Sequence, residues 1–152
     1  MQHALRHLTD QVNDARLRSA PLRICGGGSK DFYGRALVGE RLDTTALNGI
    51  TSYEPSELYI RAAAGTPLAD LEAALATHHQ TLPFEPPHFG PGATLGGMVS
   101  AGLSGPARPS AGSVRDHVLG VSLLNGHGQQ LQFGGTVMKN VAGYDVSRLL
   151  VG

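Results

Sequence analysis

Apolar residues recur at three- and four-residue steps in the first part of the chain. Leu5, Leu8, Val12 and Ala15 predict an amphipathic helix over residues 3–18, with Pro21 as its stop. Leu22–Cys25 is a short apolar run that reads as a buried strand and opens directly onto Gly26-Gly27-Gly28. Arg41–Thr45, Gly49–Tyr53 and Leu58–Ala63 read as extended segments, the last two separated by the turn Glu54-Pro55-Ser56-Glu57. A second helix starts at Gly65-Thr66-Pro67, with Thr66 as the cap and Pro67 at the first helical position, where no amide hydrogen is needed. Its apolar face is Leu68, Leu71, Ala74 and Leu75. Asp70 and Glu72 lie near the positive end of the dipole, and His78 and His79 near the negative end. Residues 83–92, rich in proline and aromatics, form a rigid extended crossing. His117–Leu124 and Gln129–Phe133 predict a hairpin about the turn Asn125-Gly126-His127-Gly128. Asp145 is the predicted cap of a last helix containing Val146, Leu149 and Leu150, and no internal repeat interrupts the pattern.

Composition changes the picture at one point. The chain has 152 residues, enough for one domain with a real core, and 21 of them are glycine, roughly twice the usual share of about 7%. None precedes Gly26, whereas seven fall between Gly90 and Gly112. Glycine concentrates where φ must be positive or where a ligand or another backbone must come close. The formal net charge of zero gives no overall pull toward nucleic acid or an anionic membrane. No apolar run approaches the roughly 18 residues of a transmembrane helix, and residues 1–18 lack the apolar centre of a secretory signal. The single cysteine, Cys25, excludes an intrachain disulfide and fits a reducing compartment.

Three stretches carry candidate chemistry. In Gly26-Gly27-Gly28-Ser29-Lys30, successive backbone N–H groups can form a concave nest for phosphate oxygens, with a hydroxyl from Ser29 and a charge from Lys30. The spacing is neither that of a Walker loop nor Gly-x-Gly-x-x-Gly. The second stretch runs from Pro91-Gly92-Ala93-Thr94-Leu95-Gly96-Gly97 through Ser100-Ala101-Gly102-Leu103-Ser104-Gly105. Its small side chains would let a flat ring or a diphosphate lie against the backbone, with Thr94 and Ser100 or Ser104 as donors. Close helix packing through Gly96, Gly97 and Gly102 is the structural alternative. The third is Lys139–Asp145. Only two lysines, Lys30 and Lys139, stand against ten arginines, and both sit in glycine-containing motifs. Catalytic groupings are thin. Cys25 reads as buried and inert, His78 and His79 as solvated residues at a helix end, and His88 as a loop histidine. Arg115 and Asp116 read as a structural pair, and no cluster has zinc spacing.

The order of these motifs, continued by Gly112–Gly120 and by Phe133–Asp145, resembles the FAD-binding domain of the vanillyl-alcohol oxidase / p-cresol methylhydroxylase (PCMH) type. Phe84-Glu85-Pro86-Pro87-His88-Phe89 and Phe133–Asp145 narrow the resemblance to the FAD-binding E subunits of bacterial glycolate oxidase complexes. The resemblance covers nearly all of the chain. It implies an α+β fold, a PCMH-type domain of two small α/β subdomains with FAD between them. The first loop, Gly26, Gly27, Gly28, Ser29 and Lys30, would hold the pyrophosphate. Gly92, Thr94, Gly96, Gly97, Ala101, Gly102 and Ser104 fall on the second flavin-contacting region. Some members attach FAD through a histidine in the first loop; Ser29 stands there in this chain, which implies noncovalent FAD. The family pattern continues beyond Gly152 with a further flavin-contacting segment and a substrate or cap domain, so residues 1–152 read as an incomplete FAD-binding domain truncated at its C-terminus.

The function implied is that of an FAD-dependent oxidoreductase subunit that takes electrons from glycolate, or another small 2-hydroxy acid, and passes them to partners. Those partners are a second flavin subunit and an iron–sulfur subunit, in a cytoplasmic complex or one peripheral on the inner membrane. Catalytic residues are not identifiable. A non-catalytic scaffold subunit of the same kind of complex is the alternative. A reductase resembling the enolpyruvoyl-glucosamine reductases is a third reading, disfavoured by Phe84–Phe89.

Overall fold

The computed structural model describes residues 1–136 and 143–152. Helix α1 (Gln2–Arg18) buries Leu8, Val12 and Ala15, three of the residues whose spacing predicted it. It ends at Ser19, two residues before Pro21. Ser19 takes the left-handed conformation (φ 52°), and the next amide, of Ala20, returns to the Ala15 carbonyl at 2.8 Å. The stop is therefore a left-handed cap rather than the proline. The Arg18 guanidinium then forks onto both Glu40 carboxylate oxygens at 2.7 and 2.8 Å, tying the helix end to the second strand.

Strand β1 (Leu22–Cys25) pairs in parallel with β2 (Glu40–Asp43); β3 (Ile50–Glu54) is antiparallel to β4 (Tyr59–Ala62); and β5 (Gly120–Leu124) is antiparallel to β6 (Gln130–Gly134). Three two-stranded sheets result among the described residues. Two cores separate along the chain. Leu8, Val12 and Leu42, with Leu22, Leu47 and Leu124 against them, seat α1 on β2. Leu68, Leu71, Phe84, Ala93, Met98, Val114 and Val151 form the other, drawing on α2 (Leu68–Ala76), α3 (Leu95–Ala101), the 83–92 crossing and the last residues.

Two expectations change, and the helical alternative for the small-residue stretch is realised. Thr66 does not cap α2. Its buried hydroxyl donates to the Gly49 carbonyl and accepts from the Gly49 amide, and Pro67 occupies the cap position. The small-residue stretch after residue 93 holds a helix, α3, capped by Thr94, followed by the one-turn helices α4 (Arg108–Ala111) and α5 (Val114–His117). The strand expected over His117–Leu124 therefore begins only at Gly120. Ser113 and Asp116 explain this: the Asp116 carboxylate accepts from the Ser113 amide at 2.8 Å and from its hydroxyl at 2.9 Å, closing a turn where a strand would have started. Asp145 caps α6 (Val146–Leu149) as expected, accepting from the Ser147 amide.

These carboxylates make stability acid-sensitive. Hydrogen bonds from the Ser113 backbone and hydroxyl hold the Asp116 carboxyl below its usual 3.8, and the Ser147 hydroxyl, first among several causes, does the same for Asp145. A pKa lowered on folding contributes stability that is present above the unfolded value and is lost as pH falls through the folded one. The melting temperature should be flat down to about pH 5 and fall below about pH 4, with a shallower fall in Asp116→Asn. Parallel acid profiles for the two proteins would contradict this assignment.

Candidate functional site

The two glycine-rich stretches meet. Gly26 and Gly27 leave the end of β1 and run against Gly92 and Thr94. A methyl group on Gly27 would lie 1.7 Å from the Gly92 carbonyl oxygen, and one on Gly92 would lie 2.5 Å from that of Gly27. A methyl on Gly26 would lie 2.7 Å from Thr94 Oγ1. The two backbones thus touch where any side chain would force them apart. Gly28 then turns the chain at φ +74°, and the Asp31 amide closes onto the Gly28 carbonyl at 3.1 Å.

A cavity of about 180 Å³ opens beside this loop, lined by Arg23, Cys25, Gly26, Gly27, Gly28, Asp31, Arg41 and Thr45. No backbone N–H from Gly26 to Lys30 finds an acceptor among the described residues. The Arg23 Nε is buried with no hydrogen-bond partner among the described residues. Arg41 is paired with Asp43 at 2.8 Å. The Asp43 carboxyl is held below its usual range, first by the Thr45 hydroxyl and amide and then by Arg41. Ser29 and Lys30 lie outside the lining. Lys30 sits 5.8 Å from the centre of the Phe89 ring, and burial lowers its pKa. Phe89 in turn meets Phe32 edge-on at 5.2 Å.

The second stretch presents few free donors. At the start of α3 the Leu95 amide goes to the Thr66 carbonyl, Gly96 to Ala64 at 2.7 Å, Gly97 to Thr94 Oγ1 at 3.2 Å, and Met98 to the Thr94 carbonyl. Ser104 is buried, its hydroxyl donating to Gly102 O and accepting from the Val114 amide at 3.0 Å. Gly96 faces Ala64 and Gly102 faces Gly152, each too close for a methyl group, so at these two positions glycine serves close packing. Gly97 is different: an added methyl would meet only Thr94 Oγ1, at 3.2 Å. Ala101, at the end of α3, is half-buried.

His78 and His79 lie exposed beyond the end of α2, and His88 bonds Glu72 at 3.0 Å. Among the described residues no group of three or more His, Cys, Asp or Glu is placed to hold a metal. Lys139 and its neighbours through Ala142 lie outside the described residues. Sequence reasoning missed Arg23, Asp31, Arg41 and Thr45. The available signal was a charged residue at the second position of an otherwise apolar four-residue strand. Alternation puts Arg23 on the same face as Cys25, next to the loop.

The FAD binding domain family matches residues 5–134. The chain belongs to this family. It is 56% identical over 145 residues to glycolate oxidase subunit GlcE of Escherichia coli (strain K12), covering 95% of this chain and 41% of the relative. It is 30% identical to a D-lactate dehydrogenase of Archaeoglobus fulgidus over 91% of this chain and 31% of the relative. The chain thus spans well under half the length of these relatives. Among solved structures, alkyldihydroxyacetonephosphate synthase superimposes with a TM-score of 0.72 at 18% identity, over 95% of this chain and 26% of that one, a likeness of fold.

The residues fit the FAD that the family binds. Among the described residues, the first loop presents five consecutive unclaimed amides and a glycine cradle, and the adjoining strand an unpartnered buried guanidinium nitrogen, the donor set that a diphosphate requires. Gly27→Ala should destabilise the fold by about 3 kcal/mol, lowering Tm by roughly 10 °C. Gly97→Ala should stay within about 1 kcal/mol of the parent, because alanine favours the helix and only one side-chain atom must give way. Equal losses in thermal unfolding would contradict this division of roles.

Proposed function

We propose that the chain supplies the dinucleotide-binding part of an FAD-dependent 2-hydroxy acid oxidoreductase subunit. The observation that carries the reading is the contact between the two glycine stretches, which leaves the Gly26–Lys30 amides unclaimed beside a cationic cavity. In this reading Gly26, Gly27, Gly28 and Ser29 hold the pyrophosphate through backbone N–H groups and a hydroxyl, and Lys30 adds charge from the rim. Gly92, Thr94 and Gly97 support the loop and face the cofactor, whereas Gly96, Ala101, Gly102 and Ser104 shape the wall behind it.

Bound FAD would supply the two-electron acceptor for oxidising a hydroxyl-bearing carbon to a carbonyl. The substrate class follows from the relatives, whose names carry glycolate and D-lactate, both 2-hydroxy acids. Ser29 in place of a histidine supports noncovalent attachment. The name of the Escherichia coli relative, a glycolate oxidase subunit, supports a place in a multi-subunit complex; a second flavin subunit and an iron–sulfur subunit are the electron partners that the family resemblance implies. No helix among the described residues is long and apolar enough to cross a membrane. Peripheral contact of the complex with the inner membrane is part of the same proposal.

The test is a titration with FAD followed by absorbance and flavin fluorescence, then acid precipitation. The chain should take up FAD and release it into the acid supernatant. Gly97→Ala should keep the parent Tm while weakening FAD about ten-fold, equivalent to about 1.4 kcal/mol. A chain that gains no flavin absorbance would overturn the reading, and colour retained in the acid pellet would overturn noncovalent attachment.

A further inference from the structure

Arg23 and Arg41 are direct register partners on the parallel strands β1 and β2. They lie on the sheet face opposite Leu22 and Leu42, which pack toward α1. Both line the same cavity, and like charges opposite one another on neighbouring strands disfavour the fold unless something negative lies near them. Asp43 cannot serve both. It pairs with Arg41 and already accepts the Thr45 amide at 2.9 Å and the Thr45 hydroxyl at 2.6 Å. Asp31, the one carboxylate in the cavity lining, makes no ion pair with Arg23. Arg23 thus has no acidic partner among the described residues, and its Nε is buried without an acceptor. Charged donors are rarely left so, because burial removes their water without returning a bond.

The same cavity is walled on another side by Gly26, Gly27 and Gly28, whose amides are also unclaimed. A guanidinium fork and a run of backbone N–H groups converging on one small space select a polyoxyanion with several acceptor atoms. We propose that Arg23, with Arg41 beside it, is the charged recognition element of this site. Its ligand is a diphosphate group, bound between the guanidinium fork and the Gly26–Gly28 amides. The inference rests on the flavin-site reading for the natural source of that diphosphate, but its chemistry can be tested apart from the flavin.

Thermal unfolding at low salt with inorganic pyrophosphate is the first arm, and FAD titration the second. In the parent chain pyrophosphate should raise Tm by several degrees, an effect that fades as salt rises. Arg23→Met should melt no lower than the parent without anion, since it relieves a like-charge pair, and should not respond to pyrophosphate. Arg23→Lys should recover part of the response. FAD affinity should fall about ten-fold or more in Arg23→Met. The proposal is overturned if pyrophosphate leaves the parent unchanged, if it protects Arg23→Met equally, or if Arg23→Met melts lower without anion yet keeps the response. The two readings separate cleanly. A pyrophosphate response that depends on Arg23, with no FAD uptake, would sustain the anion site and remove the flavin assignment. FAD uptake of equal affinity in parent and Arg23→Met would do the reverse.

Discussion

The backbone contact between Gly27 and Gly92 is the constraint on which the rest of the site depends. It joins a loop leaving the parallel β1–β2 pair to the segment that leads into α3, and so ties the α1 core to the α2–α3 core. Neither residue can carry a side chain without opening that seam. Thr94 is drawn into it as well: it caps α3 through the Gly97 amide, and its hydroxyl oxygen lies against Gly26. The glycine excess in the sequence is thus explained in large part by backbone meeting backbone. A positive φ accounts for others, among them Gly28, Gly34, Gly49 and Gly90.

Packing also decides which stretch has donors left for a cofactor. The start of α3 uses its amides internally, on Ala64, Thr66 and Thr94, so that wall contributes shape. The first loop keeps its amides unused and stands beside two arginines, so that wall contributes charge and hydrogen bonds. A diphosphate bridging this loop would satisfy donors that have no acceptor among the described residues.

Elements with strong local signals were legible in the sequence. The spacing of Leu8, Val12 and Ala15 gave α1, the four residues Leu22–Cys25 gave β1 with its bounds, and Asp145 gave the cap of α6. Where the sequence reading failed, a distant partner had changed a residue's role. The Thr66 hydroxyl, a plausible cap, is bonded instead to Gly49, seventeen residues away. Helix α3 carries Gly96 and Gly97, poor helix formers, and is held by acceptors from Ala64 and Thr66 that no local pattern reveals. The glycine stretches and their juxtaposition were legible from motif order. Arg23 was missed because Leu22–Cys25 was read as an apolar run, and four residues leave alternation little length in which to show its one charged face.

Amide hydrogen exchange across residues 26–30, with and without FAD, tests the central claim most directly. The account predicts that the amides of Gly26, Gly27, Gly28, Ser29 and Lys30 exchange fast in the free chain and are protected on adding FAD, while those of Leu95–Met98, already bonded, change little. Protection confined to α3, or absent from the first loop in a chain that demonstrably holds FAD, would contradict it.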